Sequence, residues 1–458
     1  MKIAVLNGSP KGEYSITLQY IHYVQRKMPA HTFEVYPISS LINSFEKDCE
    51  TFDHFLNDIL DCDGILWSFG VFVMVVPSQY MRFIELIFER GKQDVFKDKY
   101  AAVLTTSIHY FDHTAHSYMR AVCEDLAMQY VDGLSLDISD LSNEKARQTL
   151  VRFIEIFTEE INARAHTSKM FPPITRNDFV YMPGENVTRI STNGKKILVI
   201  TDNSDMKSNL GKMIDRFRQA YTEEIELINL HDIDIRGGCL GCMRCGYDNM
   251  CVQKDGFREL YNNRVRTADI IVFAGIIKGR YLSSMWKTFY DRAFFWNHTP
   301  SLTGKQVGYL ISGHLSQCPY LPDILNTASI FREANHADTI TDEVQDSAAI
   351  DHQLDTFAGR LVKFSEKEYV RPHNFLAVGG QKIFRDDIWG RIRVVWQADH
   401  RYFKTHGKYD FPQKDIKNRI LNFFILTMCK NSTFRKKFYE KVRKVPVKKL
   451  ERIVNKNS

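Results

Sequence analysis

A chain of 458 residues and 53.4 kDa is too long for one ordinary compact core, so its length predicts two or three domains. Hydrophobic residues at 44% and charged residues at 25% are typical of a folded globular protein and exclude a disordered one. The net charge of +6 is small for this length and does not by itself indicate nucleic-acid binding.

The sequence shows no pattern typical of a targeting or membrane-spanning segment. The short apolar stretch from Ile3 to Leu6 ends at a Gly-Ser-Pro turn, which does not fit a signal peptide. No apolar run reaches the roughly 18 residues that a membrane-spanning helix needs. Nine cysteines, four of them crowded between Cys239 and Cys251, suit a reducing compartment better than a disulfide scaffold. We therefore expect a cytoplasmic protein.

Short apolar runs alternate with helical patterns along the first part of the chain. Residues Lys2 to Asn7 form a β-rich run that stops at a glycine-containing loop, and a helical pattern follows. Similar runs occur from Gly64 to Phe69 and from Tyr100 to Thr105. An apolar run without alternation predicts a strand buried on both faces, as in a parallel sheet covered by helices. Strands that alternate with helices predict βαβ units and a doubly wound sheet.

The same pattern is repeated in the second part of the chain. It breaks near Phe171 and restarts with an apolar strand from Lys195 to Thr201. Later, residues Ala268 to Gly275 repeat residues Cys62 to Phe69 in register, and a helical segment follows each at a matching offset. These matches favour an internal duplication, with two unrelated α/β domains as the alternative.

The breaks in the pattern predict the domain organisation. The predicted fold class is α/β, with two tandem doubly wound parallel-sheet domains at residues 1–170 and 194–370. Residues 371–458 form a C-terminal, partly helical extension, which we expect to dock on the second domain. It contains an apolar stretch from Leu421 to Met428 and a basic tail from Arg435 to Lys456. We interpret the tail as a solvated helix, with contact to an anionic membrane or to nucleic acid as the alternative.

The loop after the first strand has the parts of a phosphate-binding site. Glycine permits a tight turn, and Ser9, Ser15 and Thr17 offer hydroxyl groups beside a helix start, whose free N–H groups favour an anion. The loop lacks the Gly-Lys-Ser/Thr ending of a triphosphate-binding loop, so ATP hydrolysis is not indicated. Gly-Ser-Pro is also a common turn, but ligands bind at the carboxyl ends of strands in this fold class. The candidate residues are Ser9, Pro10, Lys11, Ser15, Ile16 and Thr17.

These residues resemble the FMN-phosphate loop of the NADPH-dependent FMN reductase family, a flavodoxin-like group. The resemblance covers nearly the whole N-terminal domain and implies two further flavin loops. The loop facing the isoalloxazine ring maps to Ser68, Phe69, Gly70, Val71 and Phe72, and the third loop maps to Thr106, Ser107 and His109. Gly70 stands where the family usually has proline, and Phe72 stands where tyrosine is common. Phe72 can still stack on a ring, without the hydroxyl group.

The second domain resembles the family less closely. Its first loop keeps a Ser-Asn ending but not the Gly-Ser-Pro, and Asp202 and Asp205 would repel a phosphate. In its second loop, Lys278 or Arg280 can stabilise an anionic reduced flavin or a nicotinamide phosphate, or they can be solvated surface charges. The resemblance therefore places FMN in the first domain and leaves the second domain open.

Four cysteines of the second domain have the spacing CxxCxxCxxxxxC in a glycine-rich loop. A 4Fe–4S cluster accepts four thiolates at compact spacing, whereas structural zinc usually takes two CxxC pairs that lie farther apart. Free thiols without a metal are the third alternative. The same spacing occurs in iron–sulfur flavoproteins, which this domain resembles, and in relatives that are FMN reductases without a cluster. The candidate metal ligands are Cys239, Cys242, Cys245 and Cys251.

The resemblance implies an oxidoreductase that transfers hydride from NAD(P)H to FMN and passes electrons to a quinone, another flavin or an iron–sulfur partner. Because the flavin carries this chemistry, no catalytic acid or base is assigned. One alternative is an iron–sulfur flavoprotein that relays single electrons, and another is a non-catalytic flavin-binding regulatory protein. We expect no nucleic-acid partner. A homodimer is one hypothesis for the oligomeric state, and an internal contact between the duplicated domains is another.

Overall fold

The computed structural model describes residues 1–175, 177–296 and 298–442. By its internal contacts the chain forms two units, Met1–Tyr402 and Phe403–Ser458. Residues 443–456 of the expected basic tail lie outside the described residues. No helix in the described ranges combines the length and the apolar character that crossing a membrane requires.

The first sheet has five parallel strands in the order β2-β1-β3-β4-β5. This is the strand order of a flavodoxin-like doubly wound sheet, so the predicted fold class is confirmed for this part of the chain. The elements are β1 Lys2–Asn7, α1 Ile16–Lys27, β2 Thr32–Tyr36, α2 Ile38–Lys47, α3 Cys49–Leu60, β3 Gly64–Gly70, α4 Ser78–Glu89, β4 Tyr100–Ser107, α5 Asp112–Asp125, β5 Gln129–Asp137 and α6 Glu144–Ala163.

The central strands are buried on both faces, which explains their unbroken apolar sequences. In β3, Ile65 and Trp67 pack into one core cluster, whereas Leu66 between them packs into the cluster on the opposite face. Successive side chains of a strand point to opposite faces, so a sheet covered by helices on both sides needs apolar residues at every position.

The second sheet repeats this architecture with five parallel strands in the order β10-β9-β8-β6-β7. Counted from its own first strand, this is again the order 2-1-3-4-5, which supports the duplication hypothesis. The elements are β6 Ile197–Thr201, α7 Asn209–Gln219, β7 Glu226–Asn229, α8 Gly256–Leu260, β8 Ile270–Ile276, α9 Ser284–Ala293, β9 Gln306–Ser312, α10 Leu321–Ile330, β10 Asn335–Thr341 and α11 Ser347–Glu366. The domain boundaries near residues 170, 194 and 370 stay predictions.

Helices α4 and α9 join the two sheet domains through a reciprocal pair of contacts. The backbone N–H of Ser78, the first residue of α4, donates to the Asp291 carboxylate of α9 at 2.8 Å. The backbone N–H of Ser284, the first residue of α9, donates to the Glu85 carboxylate of α4 at 2.6 Å. Each carboxylate lies seven residues after the serine of its own helix. The two domains therefore meet as a pseudo-symmetric pair.

Helices follow the second sheet domain. They are α12 Phe375–Trp389, α13 Gln397–Thr405, α14 Ile416–Met428 and α15 Ser432–Val442. The part up to residue 402 contacts both sheet domains, and not only the second domain as expected. Arg391 makes a bidentate ion pair with Asp137 of the first domain, at 2.6 and 2.7 Å. Asp399 is fully buried and accepts from the backbone N–H of His298 of the second domain at 3.1 Å.

Candidate functional site

The three loops named from the sequence lie at the carboxyl ends of β1, β3 and β4, which are neighbours in the first sheet. The first and third loops touch, because the Thr17 and Thr106 hydroxyl groups share a hydrogen bond of 2.6 Å. The second and third loops touch where the Val71 N–H donates to the Thr106 carbonyl at 3.0 Å. The structure therefore brings the three loops together at one edge of the sheet.

The first loop offers hydroxyl groups and a helix start, as the sequence predicts. Ser15 is buried at the N-cap of α1, where its hydroxyl accepts from the Leu18 N–H at 3.2 Å. The first N–H groups of a helix have no partner within the helix, so they can bind an anion. The Ser9 hydroxyl accepts from the Lys11 N–H at 3.3 Å and is also buried. Ile16 points toward solvent, and Pro10 is half-buried.

The second loop contains both site and core residues. The Ser68 hydroxyl is buried and has no hydrogen-bond partner among the described residues. Phe69 is fully buried, and its ring centroid lies 5.7 Å from that of Tyr80, so it belongs to the core beneath the loop. Gly70, Val71 and Phe72 follow at the open end of the strand, and all three are half-buried.

The third loop is fixed by a network around a carboxylate. The Ser107 hydroxyl accepts from the His109 N–H at 2.8 Å, and His109 Nδ1 lies 2.8 Å from Asp112 Oδ2. Burial raises the pKa of Asp112, but the hydrogen bonds from Ser135 and His109 outweigh it and hold that pKa below its usual value. The His109 side chain is 52% exposed, so it is open to a molecule bound at this edge.

The cysteine loop of the second domain lies directly on the first-domain loops. The Lys11 ammonium is 4.9 Å from the centroid of the Phe72 ring. Gly241 packs against both, because a Cβ at this position would lie 2.9 Å from Lys11 Cε and 3.1 Å from Phe72 Cζ. Gln79 Nε2 donates to the Cys239 carbonyl at 3.2 Å. Burial lowers the pKa of Lys11, an effect that Cys239 opposes.

The four cysteines line one cavity of about 80 Å³. Phe72 and Trp396 line the same cavity, so it reaches from the first-domain ring loop to the C-terminal extension. Burial raises the pKa of the Cys239 thiol to about 12. Arg292 is fully buried beside the loop, with Nη2 3.9 Å from the Cys251 sulfur. In the described part of the chain, no three His, Cys, Asp or Glu side chains form a group that could hold a metal ion.

The corresponding loops of the second domain are closed by the domain's own side chains. Asp342 is fully buried, and its carboxylate accepts from Asn209 Nδ2 at 2.9 Å, from Ser312 Oγ at 2.7 Å and from the Gly313 N–H at 2.8 Å. Asn209 begins α7 and Ser312 ends β9. The Asp342 carboxylate therefore connects the loop after β6 with the loop after β9 of the second domain. The Asn203 amide donates to Ser208 Oγ at 3.0 Å within the first loop itself.

The two cationic side chains of the second loop form ion pairs across the domain boundary. Arg280 is 1% exposed and makes a bidentate pair with Asp125, at 2.6 and 2.7 Å. The Lys278 ammonium pairs with Glu89 of α4. Of the alternatives that the sequence left open, solvated surface charge does not describe Arg280, whose charge is buried and neutralised in the interface.

Sequence reasoning missed the residues that join the domains. The contacts of Glu85 and Asp291 had a detectable signal, because each lies seven residues after a helix-initial serine in the two repeated segments. Asp342, Trp396 and Asp399 had none, because their partners lie far away in the sequence.

Residues 1–140 match the sequence model of the NADPH-dependent FMN reductase family. An iron–sulfur flavoprotein of Archaeoglobus fulgidus is 29% identical over 106 residues. That match spans 22% of this chain and 47% of the relative, so the chain spans about half the length of the curated relative.

Solved structures of similar proteins match about a third of the chain. The apo form of the NADH:FMN oxidoreductase EMOB has 15% identity and a TM-score of 0.32, over 36% of this chain and 94% of its own. The flavoenzyme NAD(P)H:(acceptor) oxidoreductase FerB from Paracoccus denitrificans has 17% identity and a TM-score of 0.30, over 36% and 98%. The NAD(P)H:quinone oxidoreductase from Methanothermobacter marburgensis has 12% identity and a TM-score of 0.28, over 37% and 99%.

Proposed function

We propose that the protein is an FMN-dependent NAD(P)H oxidoreductase that holds FMN on the three loops of the first domain. The observation that carries this proposal is the convergence of the loops at the ends of β1, β3 and β4, in the part of the chain that matches the FMN reductase family. Bound FMN would accept hydride from NAD(P)H and release electrons to a quinone, another flavin or an iron–sulfur partner.

The residues of the three loops have separate tasks in this proposal. Ser9, Ser15 and Thr17 would bind the phosphate together with the first N–H groups of α1. The Phe72 side chain would cover a ring system by stacking, and the exposed His109 would lie at its edge. The buried Ser68 hydroxyl, which lacks a partner among the described residues, would gain one from a polar ring.

We assign one FMN per chain, because a buried carboxylate of the second domain already connects the loops after β6 and β9, which correspond to the first and third flavin loops. The Asp342 carboxylate holds the start of α7 and the end of β9 through three hydrogen bonds. A phosphate placed beside this buried carboxylate would be repelled in surroundings of low dielectric. The pseudo-symmetric contact between α4 and α9 would take the place of a homodimer contact in this proposal, and the protein would act in the cytoplasm.

The second candidate function is one-electron transfer through an iron–sulfur cluster, and one observation favours it. All four cysteines line the cavity that also reaches Phe72. Four thiolates are the usual ligand set of a 4Fe–4S cluster, and Cys239, Cys242, Cys245 and Cys251 would supply it. The loop would then hold a second redox centre beside the flavin.

Anaerobic purification with flavin and iron counted per chain tests both candidates. The main proposal expects one FMN per chain and oxidation of NAD(P)H above the blank rate. The second candidate also expects iron, with a broad visible absorption that dithionite bleaches and that Cys245→Ser removes. Bound FMN without any NAD(P)H oxidation would favour the regulatory alternative, and a protein without flavin would overturn the proposal.

The position of FMN is tested by a matched pair of N-cap variants. Ser15 caps α1 and Ser208 caps α7, each with a side chain that accepts a helix N–H at 3.2 Å. Substituting either with alanine costs about 1 kcal/mol of stability, since a cap is lost in both cases. Only Ser15→Ala should also weaken FMN binding, measured by flavin fluorescence. Equal loss of binding in Ser208→Ala would contradict the assignment to the first domain.

A further inference from the structure

Helix α14 presents an apolar surface to solvent. Within the described chain, none of its 13 residues is buried. Large apolar side chains that are 50–68% exposed occupy positions 416, 420, 421, 423, 424, 426 and 428. Single exposed apolar residues are ordinary, but a contiguous set on one helix marks an interaction surface.

Six of the seven exposed apolar side chains lie on one side of the helix, and Leu426 lies outside that arc. Positions 416, 420, 423 and 424 follow the spacing i, i+4, i+7, i+8, and with 421 and 428 they fall within about 160° of the circumference at about 100° per residue. Asn418 and Asn422 occupy the opposite side. Lys417 lies within the apolar arc, where a long side chain can lay its methylene groups on an apolar surface and keep its charge in water.

The surroundings of this surface are strongly basic. Residues 414–442 contain eight Lys and Arg and two Asp and Glu, a net charge of +6. The formal charge of the whole chain is also +6, so the rest of the chain is neutral in sum. Helix α14 contains no acidic residue, and α15 carries the basic run Arg435, Lys436 and Lys437. The segment that contains the apolar helix therefore carries a large excess of positive charge for its length.

We propose that α14 and α15 bind the surface of an anionic lipid bilayer. An interfacial helix places its apolar side between the headgroups and acyl chains, while nearby Lys and Arg side chains attract the anionic headgroups. At 13 residues, α14 is shorter than the roughly 20 residues that crossing a bilayer requires, so it lies along the surface. This inference does not depend on the flavin proposal.

Two other occupants fit the same surface less well. A second copy of the chain would bring two patches of charge +6 together in a self-complementary contact, which like-charge repulsion opposes. A nucleic acid would satisfy the basic residues, but its phosphate backbone would leave Phe423 and Phe424 in water.

Co-sedimentation of the full-length protein with lipid vesicles tests the proposal. One set of vesicles contains phosphatidylcholine alone, and the other contains phosphatidylcholine with phosphatidylglycerol. We expect binding to the anionic vesicles and a loss of at least about tenfold in affinity for Phe424→Glu. The matched control is Ile156→Glu on α6, where the wild-type side chain is 48% exposed and the affinity should not change.

A charge-reversal variant of α15 and tests for other binding partners complete the experiment. The variant Arg435→Glu/Lys436→Glu/Lys437→Glu should lose binding to anionic vesicles, and circular dichroism should show that it stays folded. Absence of binding to either vesicle would overturn the proposal. It would also be overturned if Phe424→Glu bound as well as wild type, if light scattering showed a dimer that Phe424→Glu dissociates, or if the protein bound duplex DNA but no vesicles.

Discussion

Ser78 and Asp291 join the two domains, since the backbone N–H of Ser78 donates to the Asp291 carboxylate at 2.8 Å. The same carboxylate forms an ion pair with Lys287, and both side chains are at least 96% buried. Burial raises the pKa of Asp291 and lowers that of Lys287, and in each case the charge of the partner opposes the effect. One carboxylate therefore binds the start of a helix in the other domain and neutralises a buried ammonium group.

Substitution of Asp291 tests how strongly this contact holds the domains. Asp291→Ala leaves the Lys287 ammonium buried without its counter-charge, and we expect a loss of about 3–5 kcal/mol in the free energy of unfolding. The double variant Asp291→Ala/Lys287→Met removes that charge and should recover much of the loss. Denaturant midpoints measure both effects. A double variant no more stable than the single one would contradict the explanation.

Glu85→Ala is the control from the pseudo-symmetric position. Glu85 accepts from Ser284 of the other domain, as Asp291 accepts from Ser78. Its cationic neighbours Arg82 and Lys278 are 26% and 45% exposed, and both also pair with Glu89, so the substitution leaves no buried charge unpaired there. We therefore expect a smaller loss of stability than for Asp291→Ala.

The contact of Gly241 with Lys11 and Phe72 is tested by adding a methyl group. In Gly241→Ala the new Cβ would lie 2.9 Å from Lys11 Cε and would push the cysteine loop away from the first domain. We expect weaker FMN retention in addition to about 1–2 kcal/mol of strain from the positive φ of +62°. Gel filtration followed by a flavin count measures the retention.

Gly304→Ala separates strain from crowding. Gly304 has a φ of +78°, and a Cβ there would meet no described atom within 4 Å. The Gly304→Ala variant should lose about as much stability as Gly241→Ala, but it should keep its flavin. If both variants lose flavin equally, backbone strain and not the interdomain contact is responsible.

The sequence predicted what depends on local patterns. The apolar run from Lys2 to Asn7 gave the observed strand β1 because its residues are buried on both faces of the sheet. The three candidate flavin loops of the first domain could be identified because they directly follow such strands. The cysteine cluster could also be named from its spacing, but not its contact with Phe72, which requires the relative position of two domains.

Contacts between distant residues could not be predicted. Asp342 lies 133 residues from Asn209, and nothing in either local sequence indicates the pair. Phe69 was named for the ring-facing loop, but in the structure it faces the core, because side chains of a strand alternate between the two faces of the sheet.

Removing the built-in carboxylate of the second domain tests its role as an internal anion. In Asp342→Ala, the Ser312 hydroxyl and the Gly313 N–H lose their acceptor, whereas the Asn209 amide keeps the Phe179 carbonyl. Each donor left without a partner away from water costs about 1–3 kcal/mol. Inorganic phosphate should raise the melting temperature of this variant more than chloride at equal ionic strength, because it can take the vacated position.

Asp338→Ala is the control for general effects of phosphate. Asp338 pairs with Arg360 on the surface, and both side chains are more than a third exposed. Phosphate should stabilise this variant no more than the wild type. An equal gain in both variants would show that the Asp342 site binds no anion.

Asp202 predicts a pH dependence of stability with a definite sign. Burial raises the pKa of this carboxyl group, although a hydrogen bond from the Ser283 hydroxyl opposes the shift. A carboxyl group with a raised pKa in the folded state contributes most to stability below its unfolded pKa of about 3.9, and this contribution is lost as the pH rises through the folded value. Asp202→Asn keeps an oxygen that accepts from Ser283 and carries no charge.

We therefore expect the Asp202→Asn variant to melt at a higher temperature than the wild type at neutral pH, with a difference that shrinks as the pH falls toward about 4. The exposed neighbour Asp205→Asn serves as the control, and a gain that did not depend on pH would mean that the buried charge of Asp202 is not its cause.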